Sequence, residues 1–170
     1  MGTRHMKIQL AKAALCGSML IAASFGANSA HAATANADAK ARIITQVSVA
    51  KVAGQDLDFG AIVPGASSGT VTIASTGVRT CAAALTCSGT TSAAGFSISG
   101  ASGETVLISS APSVTLTGGA GSMTATLSPS ISTLVLDGTD GFTVGGVLTV
   151  PSSVAAGSYS GQFNVTVNYQ

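Results

Sequence analysis

The feature that most limits what this chain can become is a period of two. From Leu57 to Tyr169 apolar and polar residues alternate in short runs, and no internal stretch sustains a helical spacing. Alternation at every second residue puts one set of side chains on each face of a strand, so each run reads as a half-buried strand. The candidates are Leu57–Val63, Gly69–Ala74, Phe96–Ser99, Thr105–Ser109, Ser113–Thr117, Met123–Ser128, Thr133–Leu136, Phe142–Val150 and Tyr159–Tyr169. Turn residues separate them: Pro64-Gly65, Ser67-Ser68-Gly69, Ser102-Gly103, Gly118-Gly119, Asp137-Gly138, Asp140-Gly141 and Ala156-Gly157. Gly accepts a positive φ, Pro fixes its own φ, and Asp bonds to nearby backbone amides. Val, Thr and Ile suit pleated surfaces. Many short strands at close spacing predict an all-β sandwich or barrel, with nothing resembling a βαβ unit.

Residues 1–32 read as a secretory signal peptide. Lys7 and Lys12 give a positive start, Ala13 to Ala27 an apolar stretch of small residues, and Ala30 and Ala32 the small residues of a cut after Ala32. The apolar stretch is shorter than the about 20 residues of a membrane helix. No later stretch is longer, so no integral membrane segment is expected after signal removal. The remainder is the size of one domain. Within it Ala33, Ala35, Ala37, Ala39, Ala41 and Ile43 hold odd positions, and Thr34, Asn36, Asp38, Lys40 and Arg42 hold even ones. Continued to Val49, this run would extend more than about 50 Å at about 3.3 Å per residue. A usual strand measures only about 17–20 Å. Residues 33–42 are therefore expected to form a separate extended arm, and 43–170 the sandwich, its first strand starting near Ile43. At the other end Tyr159, Gly161, Phe163, Val165, Val167 and Tyr169 share one strand face. Such a strand needs cover on that face, and at a sheet edge it offers backbone groups to another chain.

Charge is scarce. After Ala32 the basic residues are Lys40, Arg42, Lys51 and Arg79, and the acidic ones Asp38, Asp56, Asp58, Glu104, Asp137 and Asp140. That balance supplies neither a basic footprint for nucleic acid nor a polybasic patch for a membrane surface. No His follows Ala32, which excludes a Ser–His–acid triad, and neither Lys40 nor Lys51 sits in a catalytic motif. Asp56 and Asp58 read as a solvated strand entry. Asp137-Gly138-Thr139-Asp140-Gly141 reads as a tight turn, because most oxygen ligands of a calcium loop are missing. Gly118-Gly119-Ala120-Gly121 and Gly145-Gly146 lack the Lys-Ser/Thr of a phosphate loop and read as turns or bulges. No catalytic, cofactor-binding or metal-binding residue is expected, and the role is expected to be non-enzymatic. Export to an oxidising compartment predicts a disulfide between Cys81 and Cys87, a local staple on a short loop.

Asp56-Leu57-Asp58-Phe59-Gly60-Ala61-Ile62-Val63-Pro64-Gly65 resembles the "LDFG-x-hydrophobic-x-P" segment of the bacterial domain of unknown function DUF4402, a family related to fimbrial major subunits of the Mat/Ecp type. Gly69-Thr70-Val71, the Ala-x-Phe-x-Ile-x-Gly segment from Ala94 to Gly100, and the closing Gly-x-Tyr-x-Gly-x-Phe-x-Val-x-Val-x-Tyr from Gly157 to Tyr169 follow in order. The likeness spans nearly all of the chain after Ala32. It implies an immunoglobulin-like β-sandwich, either complete or one strand short and completed by strand addition. It further implies a structural subunit of a fimbria-like surface fibre, a homopolymer that passes through the periplasm with a chaperone and an outer-membrane usher. In such fibres the N-terminal arm of one copy completes the sandwich of the next. Here the donor arm would carry Ala33, Ala35, Ala37, Ala39, Ala41 and Ile43, and the acceptor edge Phe163, Val165, Val167 and Tyr169. The Cys81/Cys87 pair is not expected across the family. A donor face of alanine buries little apolar area, at about 25 cal/mol per Å², which points to a shallow arm or a register beginning nearer Ile43. The rival expectation is a self-contained secreted binding module or adhesin that contacts glycans or proteins through loops such as 77–95.

Overall fold

The computed structural model describes residues 32–119 and 121–170. The expected signal segment, residues 1–32, lies outside them apart from Ala32. The described residues form β1 (Ser48–Lys51), β2 (Ala61–Val63), β3 (Gly69–Ile73), β4 (Arg79–Cys81), β5 (Thr86–Ser88), β6 (Ala94–Ser99), β7 (Thr105–Ser110), β8 (Ser113–Gly118), β9 (Gly121–Pro129), β10 (Thr133–Val135), β11 (Asp140–Val150) and β12 (Val165–Tyr169), and no helix. The chain is all-β, with antiparallel sheets in a sandwich-like arrangement. None of the described residues forms a helix long and apolar enough to cross a membrane.

β11 organises the fold. Val144 pairs with Ala94 of β6 on one edge and with Pro129 of β9 on the other. Gly146 pairs with Ile73 of β3 and Leu127 of β9. Along one edge of β11, therefore, β6 hands over to β3, while β9 lines the opposite edge. β1 extends this sheet beyond β6, β4 extends it beyond β3, and β8 extends it beyond β9. The second sheet has the order β10-β7-β12. A two-stranded ribbon of β2 and β5 stands apart from both.

The alternation in sequence becomes alternation in burial. Phe142, Val144, Leu148 and Val150 point inward from β11, and Val106 and Ile108 from β7. They meet in two adjoining clusters. One holds Phe59, Val71, Ile73, Leu85, Val114, Ala125, Leu148 and Val150; the other holds Ile98, Val106, Ile108, Leu136, Phe142, Val144 and Val167. Phe96 stacks on Phe142 at 5.2 Å and meets Phe163 edge-on at 6.2 Å. No described buried side-chain polar atom lacks a hydrogen-bond partner, as close-packed interiors require.

Two expectations need correction. The first strand begins at Ser48, not near Ile43. Ile43 is 96% exposed, while Ile44 is half-buried, and two exposed polar residues, Thr45 and Gln46, break the alternation before Val47 turns inward. The closing run is not one strand: Ser160 makes a lone bridge to Thr117, and β12 starts only at Val165. At Gly161 the chain passes so close to the Thr115 carbonyl that a Cβ would collide with it. Gly145-Gly146, inside the expected strand Phe142–Val150, is buried within β11 and forms part of the strand. They lie where the partner changes, and Cβ atoms there would run into the Ile73 and Thr126 carbonyls.

Candidate functional site

The "LDFG" stretch lines a concavity of the described surface. Asp58 pairs with Ser92 as an isolated bridge, and its carboxylate accepts a hydrogen bond from the Gly60 amide at 2.8 Å. Gly60 adopts φ 75°, a conformation that glycine takes without strain. The turn sets Phe59 into the core, 6% exposed, and launches β2. One edge of β2 pairs with β5, Ala61 opposite Ser88 and Val63 opposite Thr86. The other edge has no strand partner among the described residues.

That free edge is one wall of a groove of ≈ 630 Å³. The facing wall is the segment 154–159, between the end of β11 and the Ser160 bridge. Leu116, Met123, Leu148 and Val150 join Phe59 at its base. The groove is thus a slot with an apolar base, walled by β2 and by a segment that bends at Ala156 and Gly157, and Asp58 is the one ionisable carboxylate or ammonium lining it.

The wall is fastened from β4. Cys81 and Cys87 are joined, with Cα atoms 6.2 Å apart. Cys81 pairs with Val71 of the core sheet and Cys87 with Ile62 of β2. Two residues earlier on β4, the Arg79 guanidinium donates to the Ser88 carbonyl at 2.7 Å and, at longer range, to those of Phe59 at 3.4 Å and Gly89 at 3.5 Å.

The other singled-out residues fall as follows. Ala33, Ala35, Ala37, Ala39, Ala41 and Ile43 are exposed and belong to no strand. Val165, Val167 and Tyr169 lie on β12, which pairs with β7, and their side chains pack into the second cluster together with Phe163. The Tyr169 hydroxyl donates to the Thr45 carbonyl at 2.6 Å and accepts from the Ala101 amide at 2.7 Å. None of these residues lines the slot; β12 is the edge strand of the β10-β7-β12 sheet, its inward side chains packed into the second cluster. The slot escaped sequence reasoning because Leu116, Met123, Val150 and Val154 come from four separate stretches of chain. The "LDFG" segment itself was the available signal.

The remaining acidic residues serve local structure. Asp140 accepts from the Asp137 amide at 2.8 Å and the Gly138 amide at 3.2 Å, and Asp137 accepts from the Thr139 amide at 3.3 Å. This is the bonding of a tight turn. Asp56 pairs with Lys51 at 2.6 Å on the surface, and Arg42 pairs with Glu104.

No curated protein and no solved structure matches this chain. The family model described as "Domain of unknown function (DUF4402)" matches residues 47–169, from just before β1 to the end of β12 and including every residue that walls or floors the slot. The chain belongs to the DUF4402 family.

Proposed function

We propose that this protein is an exported structural subunit of a fimbria-like surface fibre, and that copies join by strand addition, the arm of one lying in the slot of the next. The slot is the observation that carries this reading. Its β2 edge presents unpaired backbone groups beside an apolar base, which is what an added strand requires: main-chain hydrogen bonds for affinity and pockets for alternate side chains. The arm, residues 33–43, has the complementary character. Its odd positions are small and apolar, its even positions polar, and it is exposed throughout. Alanine also suits the base. Beside Leu116, Met123 and Leu148, which line it, small side chains let the incoming backbone approach the β2 edge closely. Modest burial per alanine is offset by pairing the backbone along a wall.

An open apolar slot beside a free strand edge is an aggregation hazard during export. The proposed partners are therefore a periplasmic chaperone that covers the slot in transit, an outer-membrane usher, and finally other copies of the chain at the cell surface.

The test is a photo-reactive residue at position 37, with cross-linked peptides mapped by mass spectrometry. Cross-links from position 37 of one copy to 61–64 or 154–159 of another are expected. A chain that stays monomeric without intermolecular cross-links, or that cross-links elsewhere, would refute the reading.

A further inference from the structure

We propose that Arg79 and the Cys81–Cys87 bond are the positioning elements of the slot, holding its β2 wall at the place where an incoming strand can pair. This rests on the strand-addition reading above. β2 and β5 have three residues each and pair with one another only. A two-stranded ribbon is marginal by itself, so something else must hold it at a fixed distance from the 154–159 wall. Residues 79 and 81 alternate onto one face of β4, with exposed Thr80 on the other. β4 is paired to buried Val71 and Ile73 of the core sheet.

From that anchor two fasteners reach the ribbon at different points. The disulfide grips β5 at Cys87, across from Ile62. Arg79 grips its open end, donating to Ser88 and, at longer range, to Phe59 and Gly89. Gly60 is part of the device, since a Cβ there would sit 2.5 Å from the Arg79 Nη1 and 2.6 Å from the Ser88 carbonyl oxygen. Arg79 has no carboxylate partner among the described residues; its donors serve backbone carbonyls, which fixes chain position directly. Strand addition gains affinity when the accepting edge is held in its bound geometry beforehand. A wall released from β4 would have to be ordered again at each binding event.

The experiment repeats the position-37 cross-linking in the full chain, comparing the otherwise native protein with Cys81→Ala/Cys87→Ala, Arg79→Ala and Arg79→Lys. Hydrogen exchange is followed in parallel at β2 and β5 and at β3 and β11. The expected result is an intermolecular cross-link yield at least about tenfold lower in the double variant and in Arg79→Ala, with partial recovery in Arg79→Lys, which restores one donor. Protection should be lost at Ile62 and its neighbours while β3 and β11 stay protected. If the reference protein cross-links at the slot and both variants do so with equal yield, the positioning role is overturned and strand addition stands. If the reference protein itself does not cross-link there, strand addition falls first. Loss of β3 and β11 protection in the variants would overturn the local role too, showing the fasteners to be global supports.

Discussion

Tyr169→Phe isolates one oxygen atom that decides where the arm begins. The phenol of Tyr169 bonds to Thr45 and to Ala101, two residues far from it in sequence, while its ring packs against the second core cluster. Phenylalanine keeps the ring and removes both bonds. The Ala101 amide is partly buried and makes no other hydrogen bond among the described residues, so leaving it unpaired costs about 1–1.5 kcal/mol, toward the low end of the range for a buried donor. The Thr45 carbonyl is exposed and can be rehydrated, so its loss adds about 0.5 kcal/mol. The total is about 2 kcal/mol. For the ~130 residues from Ala41 to Gln170, an unfolding entropy of about 2.1 cal/mol/K per residue converts this to a fall in Tm of about 7 °C. Calorimetry on the full chain measures it. Exchange at Val47 to Lys51 should also accelerate, because the Thr45 tether lies just before β1. A fall of less than about 2 °C, or unchanged exchange at β1, would refute the claim that this hydroxyl fixes the root of the arm.

Removing the disulfide with Cys81→Ala/Cys87→Ala should cost about 2 kcal/mol, from the chain-entropy relation for a sequence separation of 6; denaturant unfolding checks it, and a cost above about 4 kcal/mol would mean the bond supports more than its own loop. Gly145→Ala should destabilise by about 1–3 kcal/mol, because its methyl would enter the Ile73 carbonyl and the backbone of Ala74 and Ser75; a Tm unchanged from the parent would contradict that packing. Asp140→Ala should cost about 1 kcal/mol and accelerate exchange at Asp137 and Gly138, whose amides it accepts; if those amides exchange at the parent rate, the turn does not depend on the carboxylate.

Most of the strands were legible because burial here follows sequence period. β3, β6, β7, β8, β9 and β11 all lie where apolar residues alternate with Thr and Ser, their ends set by Gly, Pro or Asp. β4 and β5 were not legible. Arg79-Thr80-Cys81 and Thr86-Cys87-Ser88 carry almost no hydrophobic signal, and they exist through their partners: β4 against β3, β5 against β2 and the disulfide. The Gly145-Gly146 pair lies inside the legible strand Phe142–Val150, but its role there was not legible. Glycine in a strand marks close backbone approach as readily as a turn, and only the register reveals that β6 ends and β3 begins beside it.

The site was half legible for a reason that bears on how it would work. A donor segment is local, and its alternation can be read directly from residues 33–43. An acceptor is assembled from distant pieces, and here the most apolar terminal face, Phe163 to Tyr169, is already committed to the core. The face of that run is covered by the core, while its backbone, at the margin of the β10-β7-β12 sheet, pairs with β7 on one side. The slot is a different place, walled by β2 and floored by side chains that other strands supply. An arm of valine and isoleucine would need a deep vacancy, and a vacancy of that kind would leave the unassembled subunit without a filled core. An alanine arm asks only for a shallow slot with a fixed edge, so the subunit can complete its core first and rely on backbone pairing to recruit a neighbour. On this reasoning, enlarging Ala37 to Leu should weaken assembly, and trimming Met123 to Ala at the base of the slot should restore part of it. Additive losses in the double variant would show that the arm's position 37 and the slot's base do not meet.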